Sequence, residues 1–199
     1  MRRSDSPVQP AWVRVWHWLN ALAVLVMVLS GWRIYNPSPI YPFRFPDEIT
    51  LGGWLAGAVQ WHFAAMWLLG LNLVVYLVLN LVGGRGLRRF WPLTPHAVLT
   101  DFMAALRGRL VHADPAHYNA VQKLAYLTVL ADLVLLIVSG LVIWKPVQFP
   151  LLRMLLGDFD NARVVHFWAM ALLLAFVAVH LVMVAVVPRT LKTMVTGRA

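Results

Sequence analysis

The sequence predicts an all-α integral membrane protein built as a four-helix bundle. Three observations carry that expectation. Hydrophobic residues make up 61% of the 199 residues, against about half in a soluble domain. They gather into four stretches, roughly 12–35, 53–82, 119–144 and 161–187, each long enough to cross about 30 Å of hydrocarbon. The net charge of +9 sits in the short segments between them, which is the charge pattern of a membrane protein and not of a nucleic-acid binder.

The first stretch runs from Trp12 to Tyr35 and is stopped by Asn36-Pro37-Ser38-Pro39, because proline cannot continue a helix. It is too long for the apolar core of a signal peptide and has no small-residue cleavage site after it. Arg2-Arg3 is followed by Ser-Asp-Ser-Pro, unlike a twin-arginine signal. The stretch therefore reads as a retained helix. The second runs from Gly53 to Val82 and meets Gly83-Gly84. The third runs from Asn119 to Trp144 and meets Lys145-Pro146. The fourth runs from Asn161 to Val187 and meets Pro188. Asp158, Asp160 and Asn161 offer N-cap chemistry for this last helix. Between the second and third stretches, Pro95 to Leu110 reads as a short basic amphipathic helix lying at the membrane surface. The chain is expected to form a single domain over 1–199.

Orientation follows from the basic residues. With both termini and the long middle loop on one side, that side holds Arg2, Arg3, Arg14, Arg85, Arg88, Arg89, Arg107, Arg109, Lys123, Arg189, Lys192 and Arg198. Those are twelve of the seventeen. The other side has Arg33, Arg44, Lys145, Arg153 and Arg163, offset by Asp47, Glu48, Asp158 and Asp160. Both termini are therefore expected in the cytoplasm, with the other loops in the periplasm. Trp12, Trp16, Trp18, Trp32, Tyr35, Trp54, Trp91 and Trp144 fall near span ends and read as an aromatic belt rather than as stacking partners.

There is no cysteine. That removes disulfides, iron–sulfur clusters, thiolate ligation and covalent haem attachment together. It leaves histidine as the obvious metal ligand, and there are seven. Four lie within the apolar stretches: His17, His62, His166 and His180. His96, His112 and His117 lie in the middle loop. An ionisable side chain inside a membrane is a functional suspect by default. Following each helix from its point of entry places His17 and His180 towards the cytoplasm and His62 and His166 towards the outside. His166 and His180 are fourteen residues apart, about 21 Å along a helix and within roughly 40° in direction. One helix thus offers two ligands, one above the other, to two different partners. Each depth-matched pair suits a haem iron clamped from opposite faces. Zinc or copper fits less well, because each layer supplies only two nitrogens.

An internal repeat runs through the same region. Val28-Leu29-Ser30-Gly31 near the end of the first helix resembles Ile137-Val138-Ser139-Gly140 in the third. A basic residue follows each, and a histidine opens the next helix in both cases, His62 and His166. Ser30, Gly31, Gly57, Ala58, Ala64, Ala65, Ser139 and Gly140 would let a flat macrocycle approach the backbone, or let helices pack closely. Arg33, Lys145 and Arg163 sit where outer-haem propionates would emerge, and Arg14 where inner ones would. Interfacial snorkelling explains them equally well. Asp132 falls inside the third helix, as a proton carrier or as a neutral interior carboxyl.

The run Arg14-Val-Trp-His17-Trp-Leu-Asn20, the pair Trp61-His62, and Val165-His166 continuing to His180 resemble the bacterial cytochrome b561 and nickel-hydrogenase cytochrome b superfamily, including the gamma subunit of formate dehydrogenase. The resemblance covers nearly the whole chain. It implies a dihaem four-helix protein in which His62 and His166 hold the iron of the outer haem b, and His17 and His180 that of the inner one. Tyr118-Asn119-Ala120-Val121-Gln122-Lys123 resembles the stretch that opens the third helix of those gamma subunits beside the quinone site. This implies Asn119 as a quinone contact, with Val121 standing where the gamma subunits have glycine; Gln122, Lys123 and Tyr126 are polar candidates nearby. Asn119 reads equally as the N-cap of the third helix. The expected role is electron transfer through two haems between membrane quinone and a periplasmic redox protein such as a molybdoenzyme or hydrogenase. The alternative is a stand-alone cytochrome b561 exchanging electrons between a small molecule and quinone. The expected setting is the lipid of the bacterial inner membrane, with no nucleic-acid partner.

Overall fold

In a computed structural model of the chain, the structure describes residues 10–82, 91–107 and 119–197. Four long helices account for most of it: α1 Ala11–Tyr35, α2 Leu55–Val82, α4 Ala120–Trp144 and α6 Phe159–Val186. The short helices are α3 Pro95–Leu106, α5 Pro150–Leu156 and α7 Pro188–Thr196, with a 3-10 turn at Asp47–Ile49. All four long helices are apolar and long enough to span a bilayer. A helix satisfies its own backbone, which is what hydrocarbon demands.

Local chemistry sets the helix ends. Gly52 and Gly53 take positive φ, 110° and 70°, a conformation that suits glycine, so α2 begins after them at Leu55. Asp158 caps α6: its Oδ1 accepts the Asn161 N–H at 3.2 Å, which starts that helix two residues earlier than expected. Pro188 ends α6 and opens α7, where its missing N–H does no harm. The helix expected over Pro95 to Leu110 ends at Leu106 and has no basic residue in its last turn. Residues 108–110 lie outside the described residues, as do Gly83, Gly84, His112, His117 and Tyr118.

The fold divides into two compact units, Met1–Leu77 with Val177–Ala199, and Val78–Phe176. In the first, Ala23, Val28, Ser30 and Tyr35 of α1 and Ala58, Ala65, Leu69 and Leu73 of α2 are buried. α7 is tied to the start of α1, since Arg14 Nη1 donates to the Val195 carbonyl at 2.6 Å and Trp18 Nε1 to that of Met194 at 3.1 Å. In the second, Ala120, Asp132, Ser139 and Val142 of α4 and Ala162, Ala169 and Leu173 of α6 are buried. α3 is joined to α4 by Asp101, whose carboxylate accepts the Ala120 N–H at 2.7 Å.

The two units share a plan. α1 and α4 are each 25 residues long, and α2 and α6 each 28. Ser30 and Ser139 occupy the same position in their helices, as do His62 and His166. The buried residues Ala58, Ala65 and Leu69 of α2 match Ala162, Ala169 and Leu173 of α6 position for position. The repeat read from Ser-Gly and His thus extends through whole helical hairpins. It stops at the other two histidines: the place of His17 is taken in α4 by Tyr126, and that of His180 in α2 by Tyr76.

Large apolar side chains outside these stripes are exposed, among them Trp67 at 60%, Leu71 at 62% and Val179 at 64%. In water such surfaces would aggregate; in lipid they are the solvated face. Trp12, Trp54, Trp91 and Trp144 are exposed as a belt requires. Trp16 and Trp32 depart from the belt reading. Trp16 stacks on Tyr76 at 4.5 Å and Trp32 on Phe45 at 4.6 Å, because each side chain turns towards the neighbouring element instead of outward.

Candidate functional site

His17 lies in the second turn of α1 and His180 in the last two turns of α6. Their ring centres are 6.1 Å apart and their planes are inclined by 61°. Trp18 lies edge-on to His17 at 5.4 Å. Three residues before His17, on the same side of α1, Arg14 has its Nε buried without a hydrogen-bond partner among the described residues. Nearby, Trp16 Nε1 donates to the Asn72 carbonyl at 3.0 Å, and the Asn72 side-chain nitrogen is buried without such a partner.

His62 faces the far end of α1. Its Nδ1 is 3.1 Å from Ser30 Oγ and 3.1 Å from the Met27 carbonyl oxygen. In the other unit, His166 Nδ1 is 2.9 Å from Ser139 Oγ. A glycine follows each serine. A Cβ at Gly31 would stand 3.5 Å from His62 Cε1, and one at Gly140 would stand 3.5 Å from His166 Cε1. The ring edge therefore rests directly on the helix backbone in both units.

The basic candidates have partners. Arg33 pairs with Asp47 and donates to the Gly53 carbonyl, bracing the segment after the 3-10 turn against α1. Lys145 follows the last residue of α4 and lies 5.2 Å from the Trp144 ring centre. Arg163 lies 3.9 Å from the Asp160 carboxylate and 5.7 Å from the Phe159 ring centre. Asn119 and Gln122 form a capping box: Asn119 Oδ1 accepts the Gln122 N–H at 2.8 Å, and Gln122 Oε1 accepts the Asn119 N–H at 3.1 Å. The N-cap reading of Asn119 is therefore what the structure displays. Lys123 Nζ is 3.5 Å from the Pro92 carbonyl oxygen. His96 is exposed on α3. Asp132 is 4% exposed, and neither carboxylate oxygen has a hydrogen-bond partner among the described residues. It stands two turns from Ser139 on the same face of α4.

The sequence offers Ser30 and Ser139 only as small residues. Their contacts with His62 and His166 give them a second role. The signal was present in the repeat, since serine precedes glycine at matching places in both units.

Four long apolar helices, three of them carrying histidines, define a multi-pass membrane protein. The family model for prokaryotic cytochrome b561 matches residues 8–197. A protein of Azospira oryzae, provisionally described as the protein-methionine-sulfoxide reductase subunit YedZ1, is 56% identical over 99% of this chain and 100% of its own length. A protein of Cupriavidus necator, provisionally described as a Ni/Fe-hydrogenase B-type cytochrome subunit, is 25% identical over 87% of this chain and 76% of its own length. One of the same description from Rhodobacter capsulatus is 39% identical over 32% of this chain and 23% of its own. The chain belongs to the prokaryotic cytochrome b561 family, whose members are membrane-embedded b-type cytochromes of the bacterial inner membrane.

The residues present fit haem b. Metal–imidazole bonds of about 2.0 Å on either side of one ion place two ring centres roughly 6 Å apart, the span between His17 and His180. Among the described residues no three His, Cys, Asp or Glu side chains gather into a metal site. Two axial imidazoles need no third protein ligand when a macrocycle fills the plane. The Arg14 Nε beside His17, without a hydrogen-bond partner among the described residues, is a suitable donor for a propionate.

Proposed function

We propose that this chain carries two haems b and passes electrons between membrane quinone and a redox enzyme on the periplasmic side. His17 and His180 are the axial ligands of the inner haem, and His62 and His166 those of the outer one. The observation that carries this reading is the 6.1 Å spacing of the His17 and His180 rings. It is supported by the matching places of His62 and His166 in their helices. The bound haems supply one-electron transfer. The protein supplies the ligands, the apolar surroundings and the docking faces.

The partner is an oxidoreductase of the kind named for the relatives. The methionine-sulfoxide reductase description weighs most, because that relative is 56% identical over nearly the whole chain. In that setting a quinol gives up two electrons and two protons. The electrons cross to the partner, where sulfoxide plus two protons and two electrons gives sulfide and water. The quinone head is placed at the cytoplasmic start of α4. There the capping box occupies the side-chain oxygens of Asn119 and Gln122 and leaves their amide N–H groups as donors to a quinone carbonyl, with Lys123 beside them. Arg14 serves the inner propionates. Arg33, Lys145 and Arg163 serve the outer ones while holding their present partners.

One observation favours the stand-alone alternative. A cavity of about 530 Å³ at the loop end of α1 is lined by Arg33, Asn36, Arg44, Phe45, Asp47 and Trp54, a size that suits a small molecule. Co-purification separates the two readings. A redox enzyme recovered stoichiometrically with the chain supports the subunit reading, and quinol oxidation by a small oxidant with the purified chain alone supports the other. The haem content is tested by the reduced spectrum and the haem-to-protein ratio. Two low-spin b haems per chain are expected, and one or none refutes the assignment.

A further inference from the structure

We propose that Ser30 and Ser139 are positioning residues for His62 and His166: each serine oxygen accepts the Nδ1–H of its histidine and thereby fixes Nε2 as the iron-binding atom. The inference rests on the reading above that these two histidines are haem ligands.

Donor accounting sets the direction of the His62 bond, and the matching geometry extends it to His166. His62 Nδ1 is 3.1 Å from the Met27 carbonyl oxygen as well as from Ser30 Oγ. A carbonyl only accepts, so Nδ1 must carry the hydrogen. The Ser30 hydroxyl meanwhile donates to the Val26 carbonyl at 2.6 Å, with that of Met27 at 3.2 Å. Its lone pair is left for the imidazole. The second unit repeats the arrangement with different neighbours. Ser139 donates to the Leu135 carbonyl at 2.7 Å, with that of Leu136 at 3.2 Å, and its oxygen faces His166 Nδ1 at 2.9 Å. Both serines are 0% exposed, so no water competes for these bonds.

A helix-interior serine is already satisfied by the carbonyl one turn back. The imidazole is the group that needs the contact. In an apolar interior its N–H needs an acceptor, a task Ser30 shares with the Met27 carbonyl at His62, and a metal-bound histidine is held in rotation and tautomer by what its other nitrogen donates to. The adjoining glycine completes the seat. A Cβ there would already stand in van der Waals contact with Cε1 at 3.5 Å, so glycine at Gly31 and Gly140 keeps longer side chains away from the ring. Because the hydroxyl hydrogen is already given to a carbonyl, the serine oxygen is a strengthened acceptor. It draws the Nδ1 hydrogen and makes the imidazole a better donor to iron, which favours the oxidised state. Losing the bond therefore favours the reduced state.

The test uses the full-length haem-loaded protein with Ser30→Ala, Ser139→Ala and the corresponding threonine variants. Threonine keeps the hydroxyl and its bond to the preceding turn. At a fixed ambient potential near the outer haem's midpoint, each alanine variant should raise that haem's reduced-to-oxidised ratio several-fold and alter its electron paramagnetic resonance anisotropy. Threonine should restore both. Loss of haem with alanine and retention with threonine would also support the proposal. Unchanged potential and resonance in both alanine variants would overturn it. So would threonine variants as defective as alanine, which would make side-chain volume the cause. Nitrogen-15 spectra of histidine-labelled protein give a readout that does not need haem. Hydrogen on Nδ1 of His62 and His166 in the unsubstituted chain is expected, and hydrogen on Nε2 overturns the proposal. Absence of haem with the Nδ1–H tautomer intact would instead count against the cofactor assignment.

Discussion

Asn119 is where two roles of one side chain can be separated. Its Oδ1 caps α4, accepting the Gln122 N–H at 2.8 Å, while Gln122 returns a bond to the Asn119 N–H. Its amide N–H groups are the proposed quinone donors. Replacing an N-cap asparagine by alanine typically costs about 1 kcal/mol. The helix start keeps one further support, because Asp101 still accepts the Ala120 N–H. The loss should therefore stay near that figure, a fall of about 2–4 °C in Tm for a chain of this size. Aspartate retains the capping oxygen, is as good an N-cap as asparagine, and is acceptor-only when ionised. Asn119→Ala should then lower Tm and slow quinone-linked haem reduction. Asn119→Asp should leave the stability within about 0.5 kcal/mol of the parent and still slow the quinone reaction. Both haem spectra should be unchanged throughout. The assay is stopped-flow haem reduction by quinol beside thermal unfolding in the same detergent. Parental quinone kinetics in Asn119→Asp would refute the quinone role and leave Asn119 as a cap alone.

Two further outcomes are expected. His62→Ala should lower the haem-to-protein ratio from two to one while leaving the inner haem's spectrum intact, and His17→Ala should do the reverse; loss of the haem held by His166 on removing His17 would show the pairing to be wrong. Asp132→Val should raise stability, measured by thermal unfolding, because a buried carboxyl without a partner costs about 1–3 kcal/mol and neither oxygen of Asp132 has one among the described residues; a fall in Tm would show that the carboxyl finds a partner in the membrane.

The four spans were legible in the sequence because length and apolarity are what a bilayer requires of a helix, and the observed bounds differ from the expected ones by two residues or fewer. Those differences arise at caps and turns, where one glycine φ or one carboxylate decides the first residue: Gly52 and Gly53 before α2, Asp158 before α6. The short helices α5 and α7 were not anticipated, since seven to nine residues hold too few turns to show a period. The histidines stood out for the opposite reason, because an imidazole in a hydrocarbon span is costly wherever it points. Their number and order were thus a property of the sequence. The tertiary structure alone decided which atoms face one another. It brought the rings of His17 and His180 to 6.1 Å. It turned Nδ1 of His62 and His166 onto serines that the sequence offered only as small residues. It also committed the oxygens of Asn119 and Gln122 to a cap. Residue type and spacing determine which face of a helix a group occupies. A hydrogen bond is fixed within a few tenths of an ångström, and that placement exists only once helices far apart in the chain have packed.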